Sequence, residues 1–134
     1  MRLHHIAYVT QNVEEKATKL ANLLGFQMAG PPMIDEVQRV RAQFMKMGDG
    51  GLLELLEPYG EKSPVQRHLQ KGGGLYHLCF EVNDLDMTLQ RLRDSGDAVV
   101  VCEPMPAPAI DNRRVAFVVT IDRDLIEFVE AVQK

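Results

Sequence analysis

Two histidines and two glutamates in the sequence have the types and positions needed to bind one divalent metal ion. They are His5, Glu54, His77 and Glu127. Two imidazoles and two carboxylates form a ligand set that suits Zn, Ni, Co, Mn or Fe(II). Each glutamate has aliphatic residues at the alternate positions of its segment, so burying its charge is costly unless a cation lies beside it. We therefore predict that the four side chains hold one metal ion.

This prediction depends on an internal repeat of the chain. Segment 3–8 (LHHIAY) matches 75–80 (LYHLCF), and segment 52–57 (LLELLE) matches 125–130 (LIEFVE). The offset is 72 residues at the histidines and 73 at the glutamates, so one insertion keeps the halves in register. If the halves pair about a pseudo-twofold axis, the ligands of both halves converge there.

Each half predicts the element order β-α-β-β-β. Asn12 begins a helix with an apolar stripe and Gly25 ends it, while Asp84 and Gly96 delimit the matching helix of the second half. A Gly-Asp-Gly-Gly turn is expected at 48–51. The strands of the first half are expected at 3–9, 27–33, 37–47 and 51–57.

The length of 134 residues is typical of one domain. We expect a single domain, 1–134, in which modules 1–62 and 74–134 are joined by a short helix at 63–71. The fold class is therefore α+β, with two βαβββ modules that form a curved mixed sheet around a metal-binding concavity. Strand alternation places His5 and His77 on the concave side.

Composition excludes several classes of function. The chain is 46% hydrophobic and 25% charged, as in ordinary globular proteins, and its net charge of −4 argues against a nucleic-acid partner. No apolar run is long enough for a membrane span, and no signal peptide is recognisable, so we expect a cytoplasmic protein. Cys79 and Cys102 are expected to be reduced.

The motifs resemble those of the vicinal-oxygen-chelate superfamily (glyoxalase, bleomycin resistance, dioxygenase) over essentially the whole chain. The matching segments are LHHIA at 3–7, LELLEP at 53–58, SPV at 63–65, LYHLCFEV at 75–82 and LIE at 125–127. The similarity is greatest to the methylmalonyl-CoA epimerase branch and to glyoxalase-like members of unassigned activity. It implies the same four metal ligands, with Glu127 and secondarily Glu54 as the catalytic bases.

The resemblance implies an enzyme that moves a proton next to a carbonyl through a metal-stabilised enolate. Its substrate would be a small molecule such as an acyl-CoA or a glutathione adduct, and we expect a homodimer. Several bacterial epimerases carry a basic glutamate where this chain has Ala42. The segment 111–114 (DNRR) is either a plain turn or a loop that grips substrate.

Other functions stay open at this point. One is a lyase similar to glyoxalase I (lactoylglutathione lyase), and another is a non-catalytic protein that binds a small molecule or an antibiotic. Binding proteins of this superfamily usually lack the metal ligands, which favours an enzyme here. The metal sites of the extradiol dioxygenase branch generally resemble a set of two histidines and one carboxylate. The second carboxylate here, Glu54, argues against that branch.

Overall fold

The computed structural model describes residues 1–48 and 50–132. Asp49 of the expected turn at 48–51, and residues 133 and 134 of the second predicted module, lie outside the described residues. The class is α+β, as predicted, with a mixed sheet of nine strands and three helices among the described residues. Two compact units are distinguished. We call His5–Tyr76 the N-terminal unit, and Met1–His4 together with His77–Lys134 the C-terminal unit. A strand that is divided by one of these boundaries is described with the unit that contains most of its residues.

The N-terminal unit places two helices among five strands. In chain order they are β1 (Arg2–Val9), α1 (Val13–Leu24), β2 (Gln27–Met28), β3 (Met33–Asp35), β4 (Val40–Lys46), β5 (Leu52–Pro58) and α2 (Gln66–Gln70). The strand order is β2-β4-β5-β1, and β3 also pairs with β4. The β1–β5 pair is parallel and the β4–β5 pair is antiparallel, which places the first and last strands of the unit side by side.

The predicted strands at 27–33 and 37–47 were too long. The first is divided into β2 and β3, because Gly30 takes a positive φ of 83° and the two prolines after it lack a donor for a strand ladder. The second begins only at Val40, because Asp35 Oδ1 accepts hydrogen bonds from the N–H groups of Val37 and Gln38 and stabilises a turn there.

Helix α1 forms as the sequence predicted. The side chain of Asn12 accepts a hydrogen bond from Glu15 N–H at 2.9 Å, and Gly25 ends the helix at a φ of 73°. Val13 and Ala17 face the sheet and pack against Met45 and other apolar residues of β4 and β5. This packing covers one face of the sheet and leaves the other for polar side chains.

The connecting helix is shorter than the predicted 63–71. It begins at Gln66, so that Pro64 lies in the turn before it and not in its first turn. Gly73 follows in a left-handed conformation, with a φ of 70°, and approaches the end of β1 closely. A Cβ atom at Gly73 would lie 2.7 Å from the carbonyl oxygen of Val9, which only glycine avoids.

The C-terminal unit repeats the pattern around one helix. Its elements are β6 (Gly74–Val82), α3 (Leu85–Ser95), β7 (Ala98–Ala107), β8 (Arg113–Thr120) and β9 (Leu125–Glu130), with a 3-10 turn at Pro108–Ile110. The strand order is β6-β9-β8-β7. Leu85 and Leu89 of α3 pack against Val118 and Phe128 of the sheet. No helix among residues 1–48 and 50–132 is both long and apolar enough to cross a membrane.

Candidate metal centre

The N-terminal unit contains a buried pair of His5 and Glu54. Glu54 of β5 lies directly beside Ala7 of β1, and alternation along β1 puts His5 on the same face as Ala7. His5 Nε2 lies 3.2 Å from Glu54 Oε1. The two residues are only 1% and 7% exposed. An imidazole and a carboxylate are therefore held together away from water.

Phe44 completes this group. It lies directly opposite Glu54 on the antiparallel strand β4, so its side chain shares the face of the pair. The edge of one ring meets the face of the other, with the centroids of His5 and Phe44 5.2 Å apart at an interplanar angle of 81°. Such a T-shaped contact restricts rotation of the imidazole.

The C-terminal unit contains the same arrangement. Glu127 of β9 lies beside Cys79 of β6, which puts His77 on its face. His77 Nε2 lies 3.1 Å from Glu127 Oε1, and both residues are at least 96% buried. Phe117 lies opposite Glu127, and its ring is 5.3 Å from that of His77 at 84°. Each unit thus presents a buried histidine, glutamate and phenylalanine in equivalent positions.

The two phenylalanines were missed by sequence reasoning, although a signal for them exists. Phe44 and Phe117 occupy the last positions of the segments 41–44 (RAQF) and 114–117 (RVAF). Their offset of 73 residues equals that of the glutamates. An aromatic residue repeated in register with a ligand indicates that it packs near that ligand.

The four predicted ligands are divided evenly between the two units. They are His5, Glu54, His77 and Glu127, all of them buried. The donor set fits a divalent transition metal, because imidazole nitrogens and carboxylate oxygens are its preferred ligands in proteins. Buried carboxylates are costly without a cation, so burial supports the same assignment.

Position 42 lies on the face of the N-terminal pair. Ala42 is 2% exposed and lies two residues from Phe44 on β4, beside Leu56 of β5. Alternation therefore gives it the same orientation as Glu54 and Phe44. Alanine supplies no acid–base group at this position.

Arg41 of β4 and Arg114 of β8 have a structural role at the N-termini of the helices. Arg41 donates to Glu57 at 3.3 Å and to Glu14, and Glu57 accepts from the first N–H of α1. The hydrogen bond that Arg41 donates to Glu14 raises the pKa of Arg41. Arg41 is thus engaged by carboxylates at the start of α1.

The repeat has the same network in the C-terminal unit. Arg114 donates to Asp86 at 2.9 Å and to Glu130 at 3.2 Å. Glu130 in turn accepts from Leu85 N–H at 3.0 Å at the start of α3. A carboxylate near a helix N-terminus interacts favourably with its N–H groups, so both networks attach a helix to the sheet.

Comparisons with known proteins agree with this architecture. A model of the Glyoxalase/Bleomycin resistance protein/Dioxygenase superfamily matches residues 4–117. The ethylmalonyl-CoA/methylmalonyl-CoA epimerase of Cereibacter sphaeroides is 34% identical over 101 residues, which cover 74% of this chain and 74% of that protein.

Solved structures extend the likeness to the fold. Methylmalonyl-CoA epimerase from Mycobacterium tuberculosis has 26% identity and a TM-score of 0.88, covering 98% of this chain and 89% of that one. The Streptomyces coelicolor methylmalonyl-CoA epimerase in complex with 2-nitronate-propionyl-CoA has 27% identity and a TM-score of 0.86, covering 99% of each chain. The matched family model spans most of the sequence, so this chain belongs to the glyoxalase/bleomycin resistance protein/dioxygenase superfamily, as its motifs predicted.

Proposed function

We propose that this chain is a metal-dependent epimerase that moves a proton on the carbon next to a thioester carbonyl. The observation that carries the proposal is the buried histidine–glutamate pair found at equivalent positions in each unit, 3.2 Å and 3.1 Å between partner atoms. The relatives described as epimerases share this chain's fold over nearly its full length.

The ion would be held by His5, Glu54, His77 and Glu127. Both histidines present Nε2 towards the glutamate of their own unit, which is the orientation that two ligands of one ion require. When bound, a divalent ion supplies positive charge that stabilises negative charge developing on a carbonyl oxygen. The identity of the metal among Zn, Ni, Co, Mn and Fe(II) is a matter for measurement.

The proton transfer would use the glutamates of the two units. Glu127, 3% exposed, is the first candidate base, because a carboxylate held away from water is a stronger base towards a carbon-bound proton. Epimerisation also needs a group that returns a proton to the opposite side of the carbon. Ala42 has no group that can donate a proton. Glu54 lies on the same sheet face as Ala42 and carries a carboxyl group, so Glu54 is the second candidate.

The substrate would be an acyl-CoA with a carboxylate on the carbon next to the thioester. Support comes from the relatives, whose names specify methylmalonyl-CoA and ethylmalonyl-CoA. Such a carbon lies between two carbonyl groups, which makes its proton removable by a carboxylate base. A homodimer and a cytoplasmic location stay predictions.

The test is deuterium exchange at the substrate carbon. Metal content is measured first by elemental analysis, and ¹H NMR then follows loss of the methine signal of methylmalonyl-CoA in D₂O. We expect about one divalent ion per chain, and exchange that falls by roughly 100-fold or more in Glu127→Gln. Glu103→Gln is the control, because Glu103 lies on the exposed surface and pairs with Arg93.

Three outcomes would overturn the proposal. Unchanged exchange in Glu127→Gln would remove the proposed base. Wild-type protein that holds metal yet exchanges no proton of methylmalonyl-CoA, while converting the hemithioacetal of methylglyoxal and glutathione, would favour the glyoxalase I alternative. Tight binding of a small molecule with neither reaction would favour the binding-protein alternative.

A further inference from the structure

An arginine–glutamate pair lies on the same sheet face as the ligands of the C-terminal unit. Arg113 precedes Phe117 by four residues on β8, and Phe117 lies opposite Glu127. Glu81 follows His77 by four residues on β6. Alternation therefore gives all of these side chains one orientation. Arg113 Nη2 donates to Glu81 Oε2 at 2.7 Å.

The internal repeat has no such pair in the N-terminal unit. The positions equivalent to Arg113 and Glu81, at the offsets of 73 and 72 residues, are Val40 and Val9. Both valines are buried, at 6% and 1% exposed. Apolar residues therefore suffice for the fold at these positions, and a partly buried ion pair adds little stability over an apolar pair. The charged pair indicates a role other than stability.

The charges around Glu81 leave an excess of positive charge. Arg2 also donates to Glu81, at 3.0 Å, so two guanidinium groups meet one carboxylate. The pKa of Glu81 is lowered, first by its hydrogen bond from Arg113 and also by the charge of Arg2, which keeps the group ionised at neutral pH. The local sum is one net positive charge.

Arg113 retains capacity to donate. Its side chain is 15% exposed. Nε donates to the carbonyl oxygen of Glu130 at 2.9 Å and Nη2 to Glu81. Nη1 has no partner within residues 1–48 and 50–132, so one edge of a fixed, partly buried guanidinium is available for another acceptor. Guanidinium groups favour carboxylate and phosphate oxygens.

We propose that Arg113 is an anion-binding residue of this site, held in position by Glu81 and the Glu130 carbonyl. Arg113 begins strand β8, and this role would favour the alternative in which the segment 111–114 contacts substrate. The inference rests on the proposed function for the identity of the ligand, an acyl-CoA. The anion is the carboxylate of the acyl group or a phosphate of the CoA, both of which present the same oxygen acceptors.

The experiment measures binding by calorimetry with three probes. Methylmalonyl-CoA carries both anionic groups, methylmalonyl-pantetheine carries only the carboxylate, and propionyl-CoA carries only the phosphates. Wild type is compared with Arg113→Gln and Glu81→Gln. The matched control is Arg93→Gln, since Arg93 of α3 is paired with the surface residue Glu103 of β7.

The two variants should change affinity in opposite directions. Arg113→Gln removes the guanidinium group that binds the anion, so it should weaken binding of the probes that carry this anion by about tenfold or more. Glu81→Gln removes the competing negative charge but keeps a side-chain oxygen that can accept from Arg113, and the Glu130 carbonyl still accepts from Nε, so affinity should rise. The probe that loses affinity identifies the source: loss with methylmalonyl-pantetheine indicates the carboxylate, and loss with propionyl-CoA indicates a phosphate.

A purely structural ion pair would behave differently. Both variants would then weaken all three probes to the same extent, or neither would change binding, and either result overturns the inference. If Arg113→Gln fails to fold, the sign of the change in Glu81→Gln decides alone. Deuterium exchange by the wild type is recorded in parallel, so that the proposed function and this inference can fail separately.

Discussion

Replacement of Glu127 by glutamine should have opposite effects on stability in the presence and absence of metal. In the metal-free protein the carboxylate is 97% buried, and the neutral amide of nearly the same shape removes a charge whose burial is costly. The metal-free variant should therefore be at least as stable as the metal-free wild type. With metal the order reverses, because glutamine is a poor ligand and the variant gains little from the ion.

The size of the reversal follows from binding linkage. An ion present at 100 times its dissociation constant stabilises the folded state by about 2.7 kcal/mol. The entropy of unfolding is about 2.1 cal/mol/K per residue. For a chain of 134 residues the two values give a rise in melting temperature of roughly 10 °C for the wild type. Glu127→Gln should show less than half of this rise.

The assay is thermal unfolding followed by circular dichroism, after dialysis against a chelator and after addition of Zn, Ni, Co, Mn or Fe(II). Glu103→Gln is again the control and should respond like the wild type. If every ion fails to shift the wild-type melting temperature, or if Glu127→Gln shifts as much as the wild type, the assignment of Glu127 as a metal ligand is refuted.

Three further predictions concern the surroundings of the site. Phe117→Leu should weaken metal affinity roughly two- to tenfold, since the T-shaped contact that orients His77 is lost. The control is Phe128→Leu in the core under α3, which should lower stability and leave metal affinity unchanged. Competition with a chromogenic chelator measures the metal affinity of each variant. Ala42→Glu should exchange the substrate proton faster than Ala42→Gln because it supplies an additional base on the face of Glu54, and equal NMR rates would contradict that placement. The lowered pKa of Glu81 stabilises the folded protein above about pH 4.5, the ordinary pKa of a glutamate, and this contribution is lost as the pH falls through the lowered pKa. The free energy of unfolding of Glu81→Gln should therefore fall less steeply with pH below 4.5 than that of the wild type. Superimposable acid-unfolding curves of the two proteins would contradict this contribution.

The sequence by itself determined the local structure and the identity of the candidate ligands. Helix α1 lies where Asn12 and Gly25 predicted it, because capping is a local interaction between a side chain and the backbone a few residues away. The repeat identified two histidines and two glutamates because equivalent positions in a duplicated fold have equivalent surroundings. The predicted superfamily was confirmed by the matching family model, and the α+β class by the similarity to a solved structure.

Only the tertiary structure decided which distant side chains meet. The contact of Phe117 with His77 and the bond from Arg113 to Glu81 depend on the register between strands that are far apart in sequence. Local periodicity states which face a residue takes but not which residue lies opposite it, since a shift of register changes every pair along a strand. For the same reason the sequence left two alternatives for the segment 111–114, and the hydrogen bond from Arg113 to Glu81 is seen only in the structure.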